Sequence, residues 1–277
     1  MITGLDHLII LVRDLVQAAR DYERLGFAVT PGGEHADGLT RNALIPFQDG
    51  SYLEIVAFVN PDDPRDNVWG WRPFAATGGL VDHCLASGDL ASDARRLRES
   101  GFEINGPADG GRLLPDGREI RWLSASVAQE GRALPFLIED LTPRTRRVPA
   151  GQAAIHPNGA TGISTLEVAA PGPESAARSY ATLAGSPVPK EGGGMLRLGP
   201  RAVSFAGPAD EGARRHLDTI GPGPYGMSLA SGEGGKRSLD PDLAHGARIR
   251  IGQEHRSLDA FEAGDNFPQA TRKGTTG

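Results

Sequence analysis

Hydrophobic and polar positions follow the same order twice in the first half of the chain. Residues 4–15 (GLDHLIILVRDL) and 80–90 (LVDHCLASGDL) are apolar, strand-like runs with Asp-His near the start and Asp-Leu at the end. Each run precedes a helical segment, 16–27 and 91–102, that ends in Gly-Phe. An Asp before the first turn and a Gly after the last are typical of helix ends. The pattern predicts a repeated strand–helix unit.

Three further strand-like segments follow each helix, separated by turns rich in Gly and Asp. They are 27–35, 40–50 and 51–59 in the first unit, and 102–110, 118–127 and 133–141 in the second. Each unit is therefore predicted to be a βαβββ module. The predicted fold class is α+β, with tandem βαβββ modules forming curved half-barrel sheets around a cavity, and a third degenerate module.

The second half of the chain repeats the pattern less completely. A third copy begins with TGISTLEVAA at residue 161, and the pattern decays after about residue 208. A segment of Pro, Gly and polar residues, with no hydrophobic periodicity, separates this copy from the first two. The predicted divisions are paired modules at 1–70 and 78–148, a linker at 149–159, a degenerate repeat at 160–262 and a flexible tail at 263–277.

Composition narrows the classes of function. The net charge of −6 disfavours a broad nucleic-acid surface. A single cysteine excludes an intrachain disulfide and a zinc site of the CxxC type. No apolar run approaches the ~18 residues of a membrane span, and the N-terminus lacks the features of a signal peptide. We therefore expect a cytoplasmic protein, a monomer or a homodimer, that binds a small-molecule substrate and neither nucleic acid nor membrane.

Two histidines and two glutamates occupy matching places in the two units. His7 and His83 lie in the first strand of each unit, and Glu54 and Glu139 lie in the last. A carboxylate in apolar surroundings should be paired, protonated or metal-bound. Two imidazoles and two carboxylates would suit a divalent Ni, Zn, Co, Mn or Fe ion. We predict these four side chains as metal ligands, with Glu54 or Glu139 also serving as the catalytic base.

Polar and aromatic residues near the expected cavity are candidates for substrate binding. An arginine on a strand at the concave face of the sheet can hold a carboxylate or phosphate of the substrate, or can pair with one of the glutamates instead. The tryptophans in VWGWRPF, between the modules, can wall a pocket or cover the end of a sheet. The residues assigned to substrate binding are Arg41, Asn42, Trp71, Arg121 and Trp122.

Several of these residues also have a purely structural interpretation. His7 and His83 could be buried histidines without a ligand. His35 and His156 fall in turn-like segments, where exposure to solvent is expected. Cys84 follows His83, so it should face the opposite side of the strand and remain an inert buried thiol.

The repeated modules, with His, Glu, His and Glu in that order, resemble the vicinal oxygen chelate superfamily, and most of all its glyoxalase-like domain proteins. The segments DHLIILVRDL, NALIPFQDGSYLEIVAF, DHCLASGDL, LPDGREIRW and LPFLIEDLTPRTRRVP carry the resemblance. It implies that His7, Glu54, His83 and Glu139 hold a divalent metal between two modules. Thr165 aligns with His7, which implies that the third module is metal-free.

The resemblance implies three possible functions. The first is a divalent-metal-dependent lyase or isomerase that moves a proton next to a carbonyl of a small oxygenated substrate. The second is a metal-free small-molecule binding or sequestering protein of the bleomycin-resistance type. The third is an extradiol-type dioxygenase, although such enzymes use two His and one Glu in a site.

Overall fold

Eight strands from the first half of the chain close into one barrel in the computed structural model, which describes residues 1–114, 117–187, 194–232 and 235–252. The first module consists of β1 (Ile2–Leu11), α1 (Leu15–Arg24), β2 (Thr30–His35), β3 (Thr40–Pro46) and β4 (Tyr52–Phe58). The second consists of β5 (Gly79–Ser87), α2 (Leu90–Glu99), β6 (Ile104–Leu113), β7 (Glu119–Val127) and β8 (Phe136–Asp140). The predicted βαβββ order of both modules is confirmed.

Local chemistry fixes the ends of both helices. The side chains of Asp14 and Asp89 accept hydrogen bonds from backbone N–H groups in the first turns of α1 and α2. These N–H groups have no partner within a helix, so the contact stabilises the helix start. Each helix is followed by a glycine with a left-handed backbone, Gly26 (φ 84°) and Gly101 (φ 88°). A glycine adopts this conformation without the steric cost that a side chain adds.

The two modules join through two pairs of neighbouring strands. The strand order around the barrel is β1-β4-β3-β2-β6-β7-β8-β5. Strand β1 runs antiparallel to β5, and β2 runs antiparallel to β6, where His35 pairs with Arg112. The two half barrels therefore form one closed barrel, and alternate side chains of each strand point into its interior.

The segment after β8 folds into two short helical turns that attach to the first module. It contains α3 (Arg144–Arg147) and a 3-10 turn at Gly151–Ala154. His156 is buried, contrary to the expectation of a solvated side chain. Its Nδ1 accepts a hydrogen bond from the Ala28 N–H (3.0 Å), and its Nε2 lies 2.9 Å from the carbonyl oxygen of Pro46. Tertiary hydrogen bonds thus determine the path of this segment.

The rest of the described chain forms a six-stranded sheet in the order β10-β11-β9-β12-β14-β13. Its elements are β9 (Ala160–Ala169), α4 (Pro173–Ala184), β10 (Met195–Leu198), β11 (Arg201–Ala206), α5 (Glu211–Thr219), β12 (Gly223–Ser231), β13 (Arg237–Ser238) and β14 (Ile249–Gly252). Strands β9 and β12 pair antiparallel, as β1 and β5 do. The sheet is therefore an incomplete repeat of the barrel arrangement. The predicted tail at 263–277 lies outside the described residues.

Alternate residues of β1 belong to two different hydrophobic clusters. Leu8 and Ile10 point out of the barrel into a large core that also contains residues of the second sheet and of α1, α2 and α4, Tyr180 among them. Ile9 and Leu11 point inward and fill one end of the barrel. The other end of the interior is left for polar side chains.

No helix in the described ranges is long and apolar enough to cross a membrane.

Candidate functional site

A chain of hydrogen-bonded polar side chains lies inside the barrel. His7 Nδ1 is 2.6 Å from Asp6 Oδ1, and His7 Nε2 is 3.3 Å from Glu54 Oε2. On the other side of Glu54, His35 Nε2 is 3.3 Å from Oε1. His35 Nδ1 is 2.7 Å from the hydroxyl of Thr40. All five side chains are buried, so each imidazole is fixed at both nitrogens.

A bulge in β1 explains how two consecutive residues take part. The register between β1 and β5 shifts between Leu5, which pairs with Leu85, and His7, which pairs with Cys84. Asp6 lies at this shift. A bulge changes the direction of the side chains around it. The carboxylate of Asp6 can therefore contact the imidazole of His7, while His7 faces the interior as the alternation predicts.

Asn42, one of the predicted substrate-binding residues, positions the carboxylate of Glu54. Its Nδ2 donates to Glu54 Oε1 at 2.6 Å. Its Oδ1 accepts hydrogen bonds from the Gly33 N–H (3.0 Å) and from Arg112 Nη1 (3.2 Å). The amide thus links the glutamate to a buried guanidinium on the second module.

Arg147 of α3 supports the other end of the chain. Its Nε and Nη2 donate to the two oxygens of Asp140 at 2.5 and 2.9 Å. Its Nη1 donates to Asp6 Oδ1 (3.0 Å) and to the Tyr52 hydroxyl (2.6 Å). Sequence reasoning missed this residue, although the arginine-rich run TPRTRR directly after β8 was a signal that could have revealed it.

Burial and pairing together set the charges of the chain. Burial favours neutral Asp6, but the charge of Arg147 and the hydrogen bond with His7 hold the pKa of Asp6 well below its usual range. Burial also favours neutral Glu54, but hydrogen bonds from His35 and His7 hold its pKa well below the ordinary value. Burial lowers the pKa of His7, and its hydrogen bonds to Asp6 and Glu54 more than offset this and raise it. The two carboxylates on either side of His7 therefore favour the protonated form of its imidazole.

The interior beside these groups contains a small cavity. Its free volume is about 20 Å³, enough for roughly one water molecule. The residues that line it are His7, His35, Asn42, Tyr52, Glu54, Trp69, Trp71, Arg112, Trp122, Phe136, Ile138 and Arg147. The predicted residues Trp71 and Trp122 thus border the same space as His7 and Glu54.

The structure does not bring His83 and Glu139 to this cavity. His83 points out of the barrel and stacks on Tyr180, with ring centroids 5.7 Å apart and planes 9° apart. Glu139 Oε2 accepts a hydrogen bond from the Leu90 N–H (2.7 Å) at the start of α2. The four predicted ligands therefore do not converge, because two of them face away from the interior.

His83 and Glu139 face away from the interior because the repeat in the sequence and the repeat in the structure differ by one residue. In space, Cys84 takes the place in β5 that His7 has in β1, since each pairs with the first residue of the last strand of its module. Two residues further along, Ile138 takes the place of Glu54. A shift of one residue turns a strand's side chains to the opposite face. The Asp-His match therefore aligned His7 with a histidine outside the barrel.

The donors that remain inside do not fit the predicted divalent metal. Across residues 1–114, 117–187, 194–232 and 235–252, no group of three or more His, Cys, Asp or Glu side chains is arranged to hold a metal ion. The oxygens of Glu54 are already bound by His7, His35 and Asn42. Burial raises the pKa of the Cys84 thiol, which keeps it protonated. We therefore derive no chemical step through a metal.

The two arginines predicted to bind substrate lie on the outer surface of the barrel. Arg41 and Arg121 are exposed, and Arg121 pairs with the exposed Asp109 at 3.3 Å. Their neighbours Asn42 and Trp122 point inward. Since successive side chains of a strand face opposite sides, only one member of each neighbouring pair can line the cavity. The prediction for His35 is also wrong. This side chain was expected to be exposed to solvent, and the structure buries it.

His83 makes stability depend on pH in a predictable direction. Burial, together with the charges of Arg132 and His7, lowers the pKa of His83 to about 3. Between pH 6.5 and about 3 the unfolded chain binds a proton that the folded chain excludes, so the free energy of unfolding falls as pH falls. We expect His83→Phe, which keeps the ring on Tyr180, to reduce this slope by up to about 1.4 kcal/mol per pH unit.

Urea unfolding at several pH values measures how the free energy of unfolding depends on pH in the wild type and in His83→Phe. Above pH 7 the imidazole is neutral in both states, so the two proteins should show parallel stability curves there. Identical slopes for wild type and variant between pH 4 and pH 6 would contradict a buried neutral His83.

The paired βαβββ modules define the vicinal oxygen chelate fold. Residues 5–184 match a protein family described as a glyoxalase-like domain, and this match covers well over half of the chain. The chain therefore belongs to the glyoxalase-like domain family. The resemblance seen in the sequence is confirmed.

Two solved structures share the fold over most of the chain. A hypothetical protein from Staphylococcus aureus superposes with a TM-score of 0.67 at 13% identity, covering 90% of this chain and 99% of that chain. A mutant of 4-hydroxymandelate synthase from Streptomyces coelicolor superposes with a TM-score of 0.56 at 16% identity, covering 84% and 72%. Both likenesses concern the fold alone. No curated protein matches the chain.

Proposed function

We propose that this glyoxalase-like protein is a lyase or isomerase that moves a proton at a carbon next to a carbonyl group of a small oxygenated substrate. The buried chain of Asp6, His7, Glu54 and His35 beside a small cavity supports the proposal. Titratable groups whose pKa values are strongly shifted by burial and by specific partners are typical of active sites.

Glu54 is the proposed base and His7 the proposed acid. Glu54 stays ionised at the cavity wall, where it can take the proton from carbon. The protonated His7 can donate a hydrogen bond to the substrate oxygen, on which negative charge develops. When that oxygen takes the hydrogen bond that His7 gives to Glu54, the carboxylate loses a stabilising partner. Its pKa then rises and it becomes a stronger base.

The surrounding residues keep this pair in position. Asp6 accepts from His7 Nδ1, so Nε2 points toward Glu54 and the cavity. Asn42 and His35 hold Glu54 Oε1, which leaves Oε2 for the proton. Such preorganisation reduces the reorientation that the reaction would otherwise require.

Exchange of carbon-bound hydrogen for deuterium tests the proposal. In D₂O, the wild-type protein is expected to catalyse exchange next to the carbonyl in members of a panel of small 2-oxo and 2-hydroxy compounds, followed by NMR. The variants Glu54→Gln and His7→Gln should slow it by about 10²–10⁴-fold. Glu34→Gln, which changes an exposed glutamate on β2, is the matched control and should exchange at the wild-type rate.

The same assay examines the metal. Because no step uses one, exchange should persist after dialysis against a chelator. Loss of all exchange on chelation, with recovery on adding back Ni, Zn, Co, Mn or Fe, would refute the metal-free mechanism. Absence of exchange with every compound would refute the enzymatic proposal itself.

A metal-free binding or sequestering protein is the second candidate, and the aromatic wall of the cavity favours it. Trp69 and Trp71 stack with centroids 5.6 Å apart, and Trp69 lies 4.7 Å from Phe136. Flat aromatic faces offer large contact area to an unsaturated ligand. Tight binding that is unchanged in His7→Gln and Glu54→Gln, without exchange or turnover, would favour this function over the first.

A further inference from the structure

Arg112 is a buried cation that forms no salt bridge with the carboxylates of the described residues. Its side chain is 4% exposed. Nη1 donates to Asn42 Oδ1 (3.2 Å), and Nη2 donates to the backbone carbonyl of Arg147 (2.7 Å). The remaining group, the Nε–H, has no acceptor within the described structure. Both partners of Arg112 are therefore neutral oxygens, and they use only two of its five N–H groups.

The contrast with Arg147 makes this arrangement notable. Arg147 is also buried, but Asp6 and Asp140 neutralise its charge. Arg112 touches no carboxylate directly, and the charge of Glu54 acts on it across the Asn42 amide. Burying a cation without a directly bonded counter-charge costs free energy. Arg112 lines the cavity, so a ligand in the cavity can supply the missing partner.

The charges around the cavity also leave room for one anion. Three carboxylates and three guanidinium groups lie in and behind its wall, namely Asp6, Glu54, Asp140, Arg112, Arg144 and Arg147. A further pair, Asp82 with Arg132, adds no net charge. These charges cancel, and protonation of His7 adds one positive charge to them. A ligand with a single negative charge would neutralise that excess.

We propose that the cavity binds a small carboxylic acid in its ionised form, with the carboxylate at the guanidinium of Arg112 and the reacting carbon toward Glu54 and His7. This inference deepens the proposed function and rests on it for the direction of the reacting carbon. Asn42 contacts both Arg112 and Glu54, so the anchor and the base are one amide side chain apart. A compact 2-oxo or 2-hydroxy acid has its carboxylate and its reacting carbon close together, as this arrangement requires.

Two further features fit such a ligand. The indole ring of Trp122 belongs to the cavity wall, and its N–H has no acceptor among the described residues. The free volume of about 20 Å³ is smaller than a three-carbon acid, so entry requires a wall residue to move. Trp69 is half-buried and comes from the segment between the modules, which makes it the side chain that gives way.

Tryptophan fluorescence can test the inference directly, because all three tryptophans of the chain line this cavity. Pyruvate and lactate are titrated into the wild-type protein, with hydroxyacetone as a neutral compound of similar size. We expect a saturable change with at least one of the acids, and binding of hydroxyacetone at least tenfold weaker. This comparison needs no variant, so it holds even where a substitution in the barrel unfolds the protein.

Variants then assign the effect to Arg112. Arg112→Gln should weaken binding of the acid at least tenfold, and Arg112→Lys, which keeps the charge but loses the planar fork, should have an intermediate effect. Arg121→Gln, an exposed arginine on β7, is the matched control and should bind as the wild type does. Circular dichroism confirms that each variant is folded.

Three results would overturn the inference: equal binding of hydroxyacetone and the acids, unchanged binding in a folded Arg112→Gln protein, or no saturable change with either acid. Failure of the proposed function gives a different result. In that case the acids bind through Arg112, but neither exchanges its carbon-bound hydrogen in D₂O.

Discussion

Replacing Arg147 with alanine is expected to lower the free energy of unfolding by about 3–5 kcal/mol. The guanidinium holds Asp6 and Asp140, and it also donates to the Tyr52 hydroxyl. Without it, Asp6 keeps only the partly exposed Arg144 and His7 as partners. Removing one partner of a buried ion pair costs more than the pair itself contributes, because a charge remains buried without compensation.

Urea unfolding monitored by circular dichroism measures this loss. Arg147→Lys should fall between the two proteins, since a lysine cannot make the bidentate contact with Asp140. Arg121→Ala is the matched control, because Arg121 and Asp109 form an exposed pair, and it should change stability by less than about 1 kcal/mol. A loss below about 1 kcal/mol for Arg147→Ala would mean that α3 does not contribute its arginine to the barrel in solution.

Replacing Trp71 with alanine is expected to cost about 3–5 kcal/mol for a different reason. This indole is 1% exposed, and it packs in the apolar cluster at one end of the barrel interior. Its Nε1–H donates to Asp82 Oδ2 at 3.0 Å. The substitution leaves a cavity and also removes a hydrogen-bond donor from a buried carboxylate. Both effects lower stability in the same direction.

Two variants separate those contributions. Trp71→Phe removes the donor to Asp82 but only part of the ring volume, so it should cost less than Trp71→Ala, and its loss contains the hydrogen bond with a smaller packing term. Trp69→Ala changes the half-buried neighbour and should cost less than Trp71→Ala. If Trp69→Ala proved the more destabilising of the two, the packing of segment 60–78 against the barrel would need revision.

The modules themselves were predictable because local chemistry defines them. The Asp and Gly residues at the helix ends, and the alternation of apolar and polar residues in the strands, act over a few positions of the chain. The same local rule placed His7 on the inner face of β1. The substrate-binding prediction for Arg41 and Arg121 is wrong because it did not follow this rule: each was assigned to the cavity together with its neighbour on the strand, although such neighbours point to opposite sides.

The predicted equivalence of His7 and His83 is wrong because of a bulge in β1. The repeat in the sequence aligns Asp6-His7 with Asp82-His83, yet in space Cys84 is the counterpart of His7. A bulge inserts one residue into one strand of a pair, and its position depends on the neighbouring strand. A search for repeats in one sequence cannot detect such a shift, so His83 was assigned to the wrong face.

By itself, the sequence determined two βαβββ modules, a degenerate third copy, the membership of this family, and the contribution of His7, Glu54 and Asn42 to the interior. Only the tertiary structure decided the composition of the site. His35 and Arg112 meet where β2 pairs with β6, and Arg147 reaches Asp6 from α3. These contacts join residues far apart in the chain. Strand pairing and barrel closure create them, and no local pattern encodes the distances involved.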